Sequence, residues 1–534
     1  MAIFILNNPK ECLKIIIQYI MGNYMKKILG IEFGSTRIKA VLIDECANVV
    51  AQGAFEWENR LEDGLWTYSL EEVWHGVQCA YQALCQSYGE PIKTLDYIGI
   101  SAMMHGYLAF DKDNKLLTPF RTWRNTNTEQ ASKALTRELD FNMPQRWSAT
   151  HYYQAVLNKE PHVGEVVFLT TLAGYVHWKL TGKKVLGIGD ASGMFPIANN
   201  RYDCERLKKY NRLLAQRGVK KNLGDLLPEI LLAGENAGYL TEEGAKLLDI
   251  HGNLQKGVPF CPPEGDAGTG MVATNAVKER TGNVSAGTSG FAMIVMDKVL
   301  SRVHPEIDVV TTPVGKPVAM VHVNNFTSEI NAWVQMFEEV AALAGVQVDR
   351  GVLFDRLFKK SAESDEKVGG LLGYNFLSGE PIVNMKSGRP LLLRDSEGKM
   401  NLANFMQMQI YSALGALSLG MDILKEENVS IDEICGHGGF FKTERIGANA
   451  MSAAIGSPVT VMQNAGEGGA WGIAILALYA VNSSISLEQF LAELFKNTKK
   501  TTVQADESEK ERFATFMDSY KKGLQIERLT TEIL

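Results

Sequence analysis

The sequence predicts an α/β protein built from two similar lobes that face each other across a cleft. The chain has 534 residues, which at roughly 150 residues per domain suggests two to four units. Strand-like and helix-like stretches alternate along most of its length. One pattern, an apolar strand, a turn rich in glycine and hydroxyl residues and a second apolar strand, occurs near the start of each half. Such a duplication predicts paired lobes.

The composition is that of a globular protein. Hydrophobic residues make up 46% of the chain, charged residues 22%, and the formal net charge is −7. A mildly acidic chain lacks the basic surface that nucleic-acid binding requires, and beyond the N-terminus no apolar run reaches the about 18 residues of a membrane span. The seven cysteines form no C-x-x-C pair. We therefore expect no zinc site or disulfide framework, and a cytoplasmic location.

Residues 1–24 are expected to stand apart from the domains. Their apolar run is interrupted by Lys14 and Gln18, is too short to span a bilayer, and is followed by no small-residue cleavage site. We favour a true start at Met21 or Met25 over a genuine N-terminal helix. The domain boundaries then become 25–275 for the first lobe and 276–534 for the second, with the linker near residues 272–280.

Periodicity and capping signals predict the elements of the first lobe. Ser69 and Glu72 form a capping box that opens a helix, and Gly182 ends another. The remaining predictions are strands at 27–31, 38–44, 49–56 and 97–101, a helix at 168–182 and a loop at 187–196.

The second lobe repeats the opening pattern. Residues 282–297 read as strand, turn and strand, and Ser486 with Gln489 forms another capping box. The remaining predictions are strands at 429–435 and 459–462, a helix from Arg445, a helix opened by the glycine cluster at 464–472, and a helix at 507–526.

The first turn, Gly30-x-Glu32-x-Gly34-Ser35-Thr36, has the residue types of a phosphate and metal site. Glycine lets the backbone approach a ligand closely, the hydroxyls donate to phosphate oxygens, and a carboxylate can hold Mg²⁺ through water. The matching turn in the second half contains Gly287 and Thr288. An ordinary hairpin tip is the alternative for each turn, but two such tips in one chain favour a clamp around the phosphates of ATP.

Two further motifs carry candidate chemistry. Asp266 lies among small residues between the two lobes, where a carboxylate can accept a proton from a hydroxyl during phosphoryl transfer; the alternative is an Asx-turn. Gly438 and Gly439 follow a predicted strand and leave room for a flat base to stack on the backbone; the alternative is a tight strand–helix turn. The sequence contains neither a Walker A motif nor a dinucleotide-binding fingerprint, so a NAD-dependent oxidoreductase is disfavoured.

The ordered series of motifs resembles the FGGY carbohydrate kinase family over essentially the whole chain from Met25 to the last helix. The motifs are GIEFGST (30–36), MMHG (103–106), KLTG (179–182), DASG (190–193), EGDAGTG (264–270), SAGTSG (285–290), GHGGFFKT (436–443) and GEGGAWG (466–472). The resemblance implies two ribonuclease-H-like lobes of the actin and hexokinase type. It also implies transfer of the γ-phosphate of MgATP to a sugar or polyol hydroxyl in the cleft.

The resemblance assigns roles to particular residues. Glu32 stands where the family has an aspartate that organises Mg²⁺, and Asp266 matches the catalytic base that also faces the substrate. Gly34, Ser35, Thr36, Gly287 and Thr288 match the two phosphate turns, Gly438 and Gly439 match the adenosine site, and Met104, His105 and Trp123 match the sugar pocket of xylulokinase-like members.

Several positions depart from the family pattern. Glu32 replaces aspartate and adds one methylene, which still lets the carboxylate reach a water-bridged metal. Met103 replaces a glutamine, Asn125 replaces an acid and Tyr152 stands where a lysine is typical. These three positions lie in the sugar-side lobe. The prediction of a kinase is therefore retained, but the identity of the sugar cannot be carried over from the family. His105 could also be an ordinary core histidine.

The sequence therefore predicts an ATP-dependent kinase of a ketopentose such as xylulose or ribulose. Its expected partners are the sugar and ATP with Mg²⁺, without nucleic acid or membrane, and a homodimer is compatible with this assignment. The alternatives are a kinase of another sugar or polyol, and an actin-fold ATP-binding sensor or scaffold that phosphorylates nothing.

Deleting residues 1–24 should leave the activity intact, because the upstream segment is expected to lie outside both lobes. Sugar-dependent ADP release by the truncated and full-length proteins is the measurement. Loss of folding on truncation would show that the segment is structural.

Overall fold

The computed structural model describes residues 25–462, 468–481 and 483–534. The segment 1–24, and residues 464–467 of the glycine cluster at 464–472, lie outside the described residues, so the predictions made for them stay predictions.

A five-stranded sheet organises the first lobe. Its strands are β1 (Ile28–Phe33), β2 (Arg37–Ile43), β3 (Val49–Glu56), β4 (Tyr97–Ala102) and β5 (Glu264–Gly265). They lie in the order β5-β4-β1-β2-β3, with β1, β4 and β5 parallel and β2 antiparallel to both of its neighbours. Because parallel strands end at one edge of a sheet, the residues after β1, β4 and β5 lie together.

A seven-stranded sheet organises the second lobe. Its strands are β6 (Thr281–Ala286), β7 (Gly290–Val295), β8 (Ile307–Thr311), β9 (Pro317–Val323), β10 (Glu433–His437), β11 (Val459–Met462) and β12 (Lys500–Val503). They lie in the order β8-β9-β7-β6-β10-β11-β12. As in the first lobe, a hairpin (β6–β7) is joined to a parallel strand (β10).

Helices cover both sheets. Those before β6 are α1 (Leu70–Tyr88), α2 (Glu129–Leu139), α3 (Ser148–Leu157), α4 (Leu172–Thr181), α5 (Ile188–Ala191), α6 (Cys204–Gln216), α7 (Glu242–Leu248) and α8 (Asp266–Ala273). Those that follow are α9 (Ser328–Leu343), α10 (Arg350–Ser361), α11 (Leu402–Glu426), α12 (Ile446–Ile455), α13 (Gly468–Val481), α14 (Leu487–Leu494) and α15 (Glu507–Ile533). No helix in the described part of the chain is long and apolar enough to cross a membrane.

Short elements complete the chain. Two-stranded ribbons pair Arg60–Glu62 with Leu65–Thr67, Leu108–Phe110 with Phe168–Thr170, Val185–Gly187 with Glu229–Leu231, Ile197–Ala198 with Arg201–Tyr202, and Leu371–Tyr374 with Leu391–Arg394. Single 3₁₀ turns occur at Pro161–Gly164, Leu223–Asp225, Val368–Gly370, Pro381–Val383 and Gly439–Phe441.

Most locally signalled elements are confirmed. The three opening strands, the strand pair of residues 282–297 and the strand at 459–462 form as predicted. Both capping boxes form with reciprocal hydrogen bonds, at Ser69 and at Ser486. Gly182 ends α4 in the left-handed conformation, which glycine adopts without steric cost.

Three predictions of extent or type are wrong because distant partners decide them. Residues 168–170 are a strand and not the start of a helix, since they pair with Leu108–Phe110 and the helix begins only after Thr171. Residues 187–196 contain the short helix α5, whose Gly189 and Asp190 amides donate to the buried Glu264 carboxylate. The strand predicted at 429–435 begins at Glu433, because its parallel partner β6 begins at Thr281.

Helix α13 lies in sequence between β11 and β12 of the second sheet but packs on the first lobe. A Cβ atom on Gly30 of β1 would lie 2.1 Å from the Ala470 carbonyl oxygen, and one on Gly472 of α13 would lie 2.1 Å from the Thr269 carbonyl oxygen of α8. Gly99 of β4 approaches the Ile473 carbonyl in the same way. Glycine at these positions lets the backbones of β1, β4, α8 and α13 approach each other closely.

Gly30→Ala should lower the thermal unfolding midpoint by several degrees, because the new methyl group meets a main-chain oxygen that no rotamer change can move. We expect a destabilisation of about 2 kcal/mol or more, measured by scanning calorimetry. Gly164→Ala is the matched control, since its Cβ would meet nothing within 4 Å. Equal midpoints for the two variants would contradict the close packing of α13 on β1.

Candidate functional site

The predicted site residues of the first lobe meet at the edge where β1, β4 and β5 end. Glu32 and Glu264 both lie opposite Ser101 of β4 in the strand register. The Gly34–Thr36 turn follows β1, the Met103–Gly106 segment follows β4, and Asp266 follows β5 directly.

A cavity of about 170 Å³ lies between the lobes at this edge. The first lobe contributes Ser35, Met103, Met104, His105, Trp123, Arg146, Asp266 and Ala267, and the second lobe contributes Ser289, Phe291, Met320 and His322. Larger surface grooves of about 470 and 500 Å³ contain none of the predicted site residues. The cavity is therefore the candidate site, and its volume suits a small molecule.

Asp266 is the first residue of α8 and forms part of the cavity wall. Its Oδ1 accepts hydrogen bonds from the Met104 amide (3.1 Å) and from the Ala267 amide (3.0 Å). Both of these bonds end on Oδ1. No hydrogen bond from another described residue reaches Oδ2, so Oδ2 is the oxygen available for a ligand. Burial raises the pKa of this carboxyl, and the two amide bonds oppose that rise.

Glu32 faces the start of α13. Its Oε2 accepts a hydrogen bond from the Ala470 amide (3.2 Å), and Lys39 lies opposite it on β2. Burial raises the pKa of Glu32 to about 7, the nearby Asp266 carboxylate adds to the rise, and Lys39 opposes it. A Cβ on Gly469 would lie 2.3 Å from Glu32 Oε1, so a side chain at this position would displace the Glu32 carboxylate.

The donor set of Glu32 and Asp266 fits a magnesium ion. Two neighbouring carboxylates offer hard oxygen ligands, and Mg²⁺ is commonly held by one or two carboxylates together with substrate phosphates and water. Among the described residues, no group of three or more His, Cys, Asp or Glu side chains is placed to hold a metal ion.

Two more carboxyl groups lie behind Asp266 and were missed by the sequence analysis. Glu264 accepts from the Gly189 amide (3.2 Å) and the Asp190 amide (2.9 Å), and burial raises its pKa to about 7. Asp190 accepts from the Thr171 hydroxyl (2.6 Å), and burial raises its pKa well above the usual range. Glu264 stands two residues before Asp266 in the EGDAGTG motif, which was the available signal.

His105 is both buried and part of the cavity wall. It has a positive φ of 71°, its Nδ1 lies 3.2 Å from the Gly193 carbonyl, and its ring stacks on Trp147 at 6.3 Å. Burial, with Arg146 nearby, lowers its pKa well below the usual range. The side chain is therefore a neutral imidazole fixed in one orientation.

Arg146 joins the two lobes at the cavity wall. It forms an ion pair with Asp308 on β8, and the Asn142 side-chain amide also donates to Asp308 (3.0 Å). His322 lies in the same wall, and burial lowers its pKa to about 3. No local sequence pattern marks Arg146 as a site residue. Met320 and His322 are two residues apart on β9, so the period of a strand places both side chains on the same face of the sheet.

The first glycine turn is fixed by aromatic donors. Trp57 Nε1 donates to the Gly34 carbonyl (2.7 Å) and the Tyr68 hydroxyl donates to the Ser35 carbonyl (2.6 Å). Trp123 Nε1 donates to the Ser35 hydroxyl (3.3 Å), so these two predicted residues lie side by side in the cavity wall. Thr36 is exposed and does not line the cavity.

The second turn and the third glycine motif are neighbours, because β6 and β10 are adjacent parallel strands. Ser285 lies opposite His437, and a Cβ on Gly438 would lie 2.4 Å from the Ala286 carbonyl oxygen at a φ of 105°. Thr288 and Gly439 are exposed. Ser289, next to Thr288, reaches the cavity, so the structure brings the second turn to the side of the cavity opposite Ser35.

Two of the positions that depart from the family pattern lie outside the cavity wall. The Asn125 side chain bonds to the Trp66 amide (2.9 Å) and carbonyl (2.8 Å) and so holds a loop together. Tyr152 is fully buried in the core. Met103, in contrast, lines the cavity.

Glu264→Gln should weaken the pH dependence of stability. The folded-state pKa is raised from 4.5 to about 7, so between these values the folded protein binds more protons than the unfolded chain and its stability falls as pH rises. The shift of Glu264 alone changes the free energy of unfolding by roughly 3 kcal/mol across that pH window, with the lower value at the higher pH. The unfolding midpoint should therefore drop less between pH 5 and pH 7.5 in the variant than in the wild type.

The exposed Glu243→Gln is the control and should keep the wild-type slope. Identical slopes for all three proteins would show that Glu264 is ionised in the folded state at neutral pH.

Comparison with known proteins identifies the family. Residues 27–273 match the N-terminal domain, and residues 282–481 the C-terminal domain, of the FGGY family of carbohydrate kinases. Curated relatives include a xylulose kinase of Haemophilus influenzae (22% identical, covering 88% of this chain and 93% of that protein) and a gluconokinase of Bacillus subtilis (22%, 52% and 53%). A glycerol kinase of Thermococcus kodakarensis is 24% identical, over 52% of this chain and 54% of its own length.

Solved structures show the same fold. A ligand-bound xylulose kinase of Lactobacillus acidophilus superposes with a TM-score of 0.76 at 17% identity, covering 93% of this chain and 98% of the other. A gluconate kinase of the same organism has a TM-score of 0.75 at 17% identity, covering 93% and 97%. Because the two scores are nearly equal, the fold does not distinguish the sugar. The chain belongs to the FGGY family of carbohydrate kinases, ATP-dependent phosphotransferases with an alcohol group as acceptor.

Proposed function

We propose that the protein phosphorylates a hydroxyl group of a neutral sugar, a ketopentose such as xylulose or ribulose, with MgATP as the donor. One observation carries the proposal: Asp266 lies in a cavity that both lobes line, with Ser35 of the first glycine turn and Ser289 beside the second turn in the same wall. A hydroxyl bound at Asp266 would therefore lie between the two turns. The homodimer and the cytoplasmic location stay predictions.

The charges of the cavity wall support a neutral substrate. Arg146 is the one cation among the described lining residues, and Asp308 already pairs with it. Both wall histidines are neutral because burial lowers the pKa of each. A sugar acid would place its carboxylate near Asp266 without a free cation to balance it, and burying such a charge is costly. An uncharged ketose or polyol meets no such penalty.

The apolar part of the wall suits the carbon skeleton of a sugar. Met103, Met104, Phe291 and Met320 supply apolar surface, while Arg146 and the indole of Trp123 carry polar N–H groups at the wall. Such a mixture of apolar surface and few polar groups is typical of small-molecule sites.

Asp266 would act as the general base. Its Oδ1 is held by two backbone amides, which fixes the carboxylate while Oδ2 accepts the proton of the attacking hydroxyl. The oxygen then attacks the γ-phosphorus in line, and ADP leaves. Thr288, Gly34 and Ser35 would bind phosphate oxygens, and Gly438 and Gly439 would lie against the adenosine.

Glu32 would hold Mg²⁺ through water, beside Asp266, and the bound ion supplies neutralisation of phosphate charge. The methylene that distinguishes Glu32 from aspartate is accommodated by Gly469, the residue whose Cβ would otherwise meet Oε1.

Asp266→Asn should abolish sugar-dependent ADP release while leaving ATP binding nearly unchanged. An asparagine keeps an acceptor for the two amides but cannot take up the proton, and a general base is worth roughly 10²–10⁴-fold in rate. The rate is measured by coupled ADP release over ketopentoses, ketohexoses, polyols, glycerol and a sugar acid, and nucleotide binding by calorimetry.

The exposed Asp113→Asn in the same lobe is the control and should retain the wild-type rate. An Asp266→Asn variant with more than about a tenth of the wild-type rate would remove Asp266 from its role. A wild type that binds ATP but turns over none of the compounds would favour the non-catalytic sensor or scaffold, and preference for the sugar acid would contradict the charge argument.

A further inference from the structure

A buried carboxyl group in the second lobe lies behind the second glycine turn. Glu380 has no exposed surface and does not line the cavity between the lobes. It belongs to the segment that follows the Leu371–Tyr374 strand, far in sequence from Gly287 and Thr288. Burial raises its pKa to about 7.

The Glu380 carboxylate holds the chain at Asn324 and Asn325. Its Oε2 accepts hydrogen bonds from the Asn324 amide (3.0 Å), the Asn325 amide (3.2 Å) and the Asn325 side-chain Nδ2 (3.2 Å). Asn325 Oδ1 in turn accepts from the Leu377 amide (2.9 Å) and the Ser378 amide (3.0 Å). The segments around Asn325 and Glu380 are therefore joined by reciprocal hydrogen bonds, because each segment both donates to the other and accepts from it.

The next three residues hold the second turn. The Phe326 amide donates to the Thr288 carbonyl (2.9 Å), the Thr327 hydroxyl donates to the Gly287 carbonyl (2.7 Å), and the Ser328 hydroxyl donates to the Thr288 carbonyl (3.2 Å). The carbonyls of Gly287 and Thr288 are thus fixed on one side.

Planarity of the peptide bond gives these contacts a consequence for anion binding. The Gly287 carbonyl and the Thr288 N–H belong to one trans peptide and point in opposite directions, as do the Thr288 carbonyl and the Ser289 N–H. Fixing both carbonyls toward residues 326–328 therefore aims both N–H groups away from that segment. Successive N–H groups held in this way form an anion-binding site.

We propose that Glu380 is a positioning residue for the transferred phosphate. Through Asn324 and Asn325 it fixes residues 326–328, which orient the Thr288 and Ser289 N–H groups toward the phosphate of ATP. This inference rests on the proposed phosphoryl transfer but concerns a residue that touches neither ATP nor the sugar.

The test compares Glu380→Ala and Glu380→Gln with Glu527→Ala. Glu527 is a matched control, because it is another fully buried carboxyl of the second lobe. It accepts a backbone amide hydrogen bond from Arg389 (3.0 Å), and among the described residues it forms no hydrogen bond with residues 324–328. Each protein is assayed for KM and kcat with ATP and with the sugar, for binding of the non-hydrolysable analogue AMP-PNP by calorimetry, and for its unfolding midpoint.

We expect Glu380→Ala to weaken AMP-PNP binding and raise KM for ATP by about tenfold or more, since it leaves the backbone amides of Asn324 and Asn325 without their acceptor. KM for the sugar should change less than about twofold, since the change lies on the nucleotide side. Glu380→Gln keeps one acceptor oxygen and should restore ATP binding to within about threefold of wild type. Glu527→Ala should lower the unfolding midpoint without raising KM for ATP.

If Glu380→Ala does not fold, Thr327→Val removes the hydroxyl bond to Gly287 with little change of shape and should move KM for ATP in the same direction. Unchanged ATP parameters in the folded variants, or equal changes for ATP and sugar, would overturn the inference. A wild type that binds AMP-PNP but phosphorylates no sugar would defeat the proposed function alone, because calorimetry still measures the effect of Glu380.

Discussion

Backbone contact between α13 and the first lobe is the constraint on which the site depends. Gly30 of β1 and Gly472 of α13 leave room for main-chain oxygens that a methyl group would displace. The contact sets the Ala470 amide against Glu32 and packs α13 along α8, whose first residue is Asp266. The two carboxylates are therefore positioned by glycines that do not line the cavity, and by a helix that belongs to the second half of the sequence.

Buried carboxyl groups held by backbone amides recur around this arrangement. Glu32, Glu264 and Glu380 each have a pKa raised to about 7 by burial. Each accepts at least one main-chain N–H bond, which offsets part of the cost of removing the group from water. Such groups fix loops in one geometry, and a preorganised geometry is what phosphoryl transfer requires of a protein.

The fold and the site differ in how far local sequence determines them. The capping boxes at Ser69 and Ser486 and the paired glycine turns were predicted because their signals are complete within a few residues. The strand at Phe168–Thr170 and the start of β10 at Glu433 were not, because partners far along the chain decide them.

The same division holds within the cavity. Asp266, Met104, His105 and Trp123 were predicted from motifs, and all four line it. Arg146 and His322 were missed, because only the packing of β8 and β9 against the first lobe brings them to the wall. Thr36 has the predicted type and spacing, is exposed at the turn and lies outside the cavity wall, and its role in phosphate binding stays a prediction. The sequence thus predicted which residue types occur at the site. Which of their side chains face the cavity depends on tertiary contacts, which local sequence does not show.

The central claim is that the two lobes bring a sugar hydroxyl at Asp266 to the γ-phosphate of ATP. To test it, the wild-type protein is incubated with Mg²⁺, ATP that carries a label in its γ-phosphate, and either xylulose or ribulose. The measurement is the distribution of the label among ATP, sugar and inorganic phosphate. We expect the label to appear in the sugar and to exceed the label released as inorganic phosphate, because the cavity holds the acceptor and limits access of water. Label that stays in ATP, or appears only as inorganic phosphate, with neutral sugars and polyols alike would contradict it.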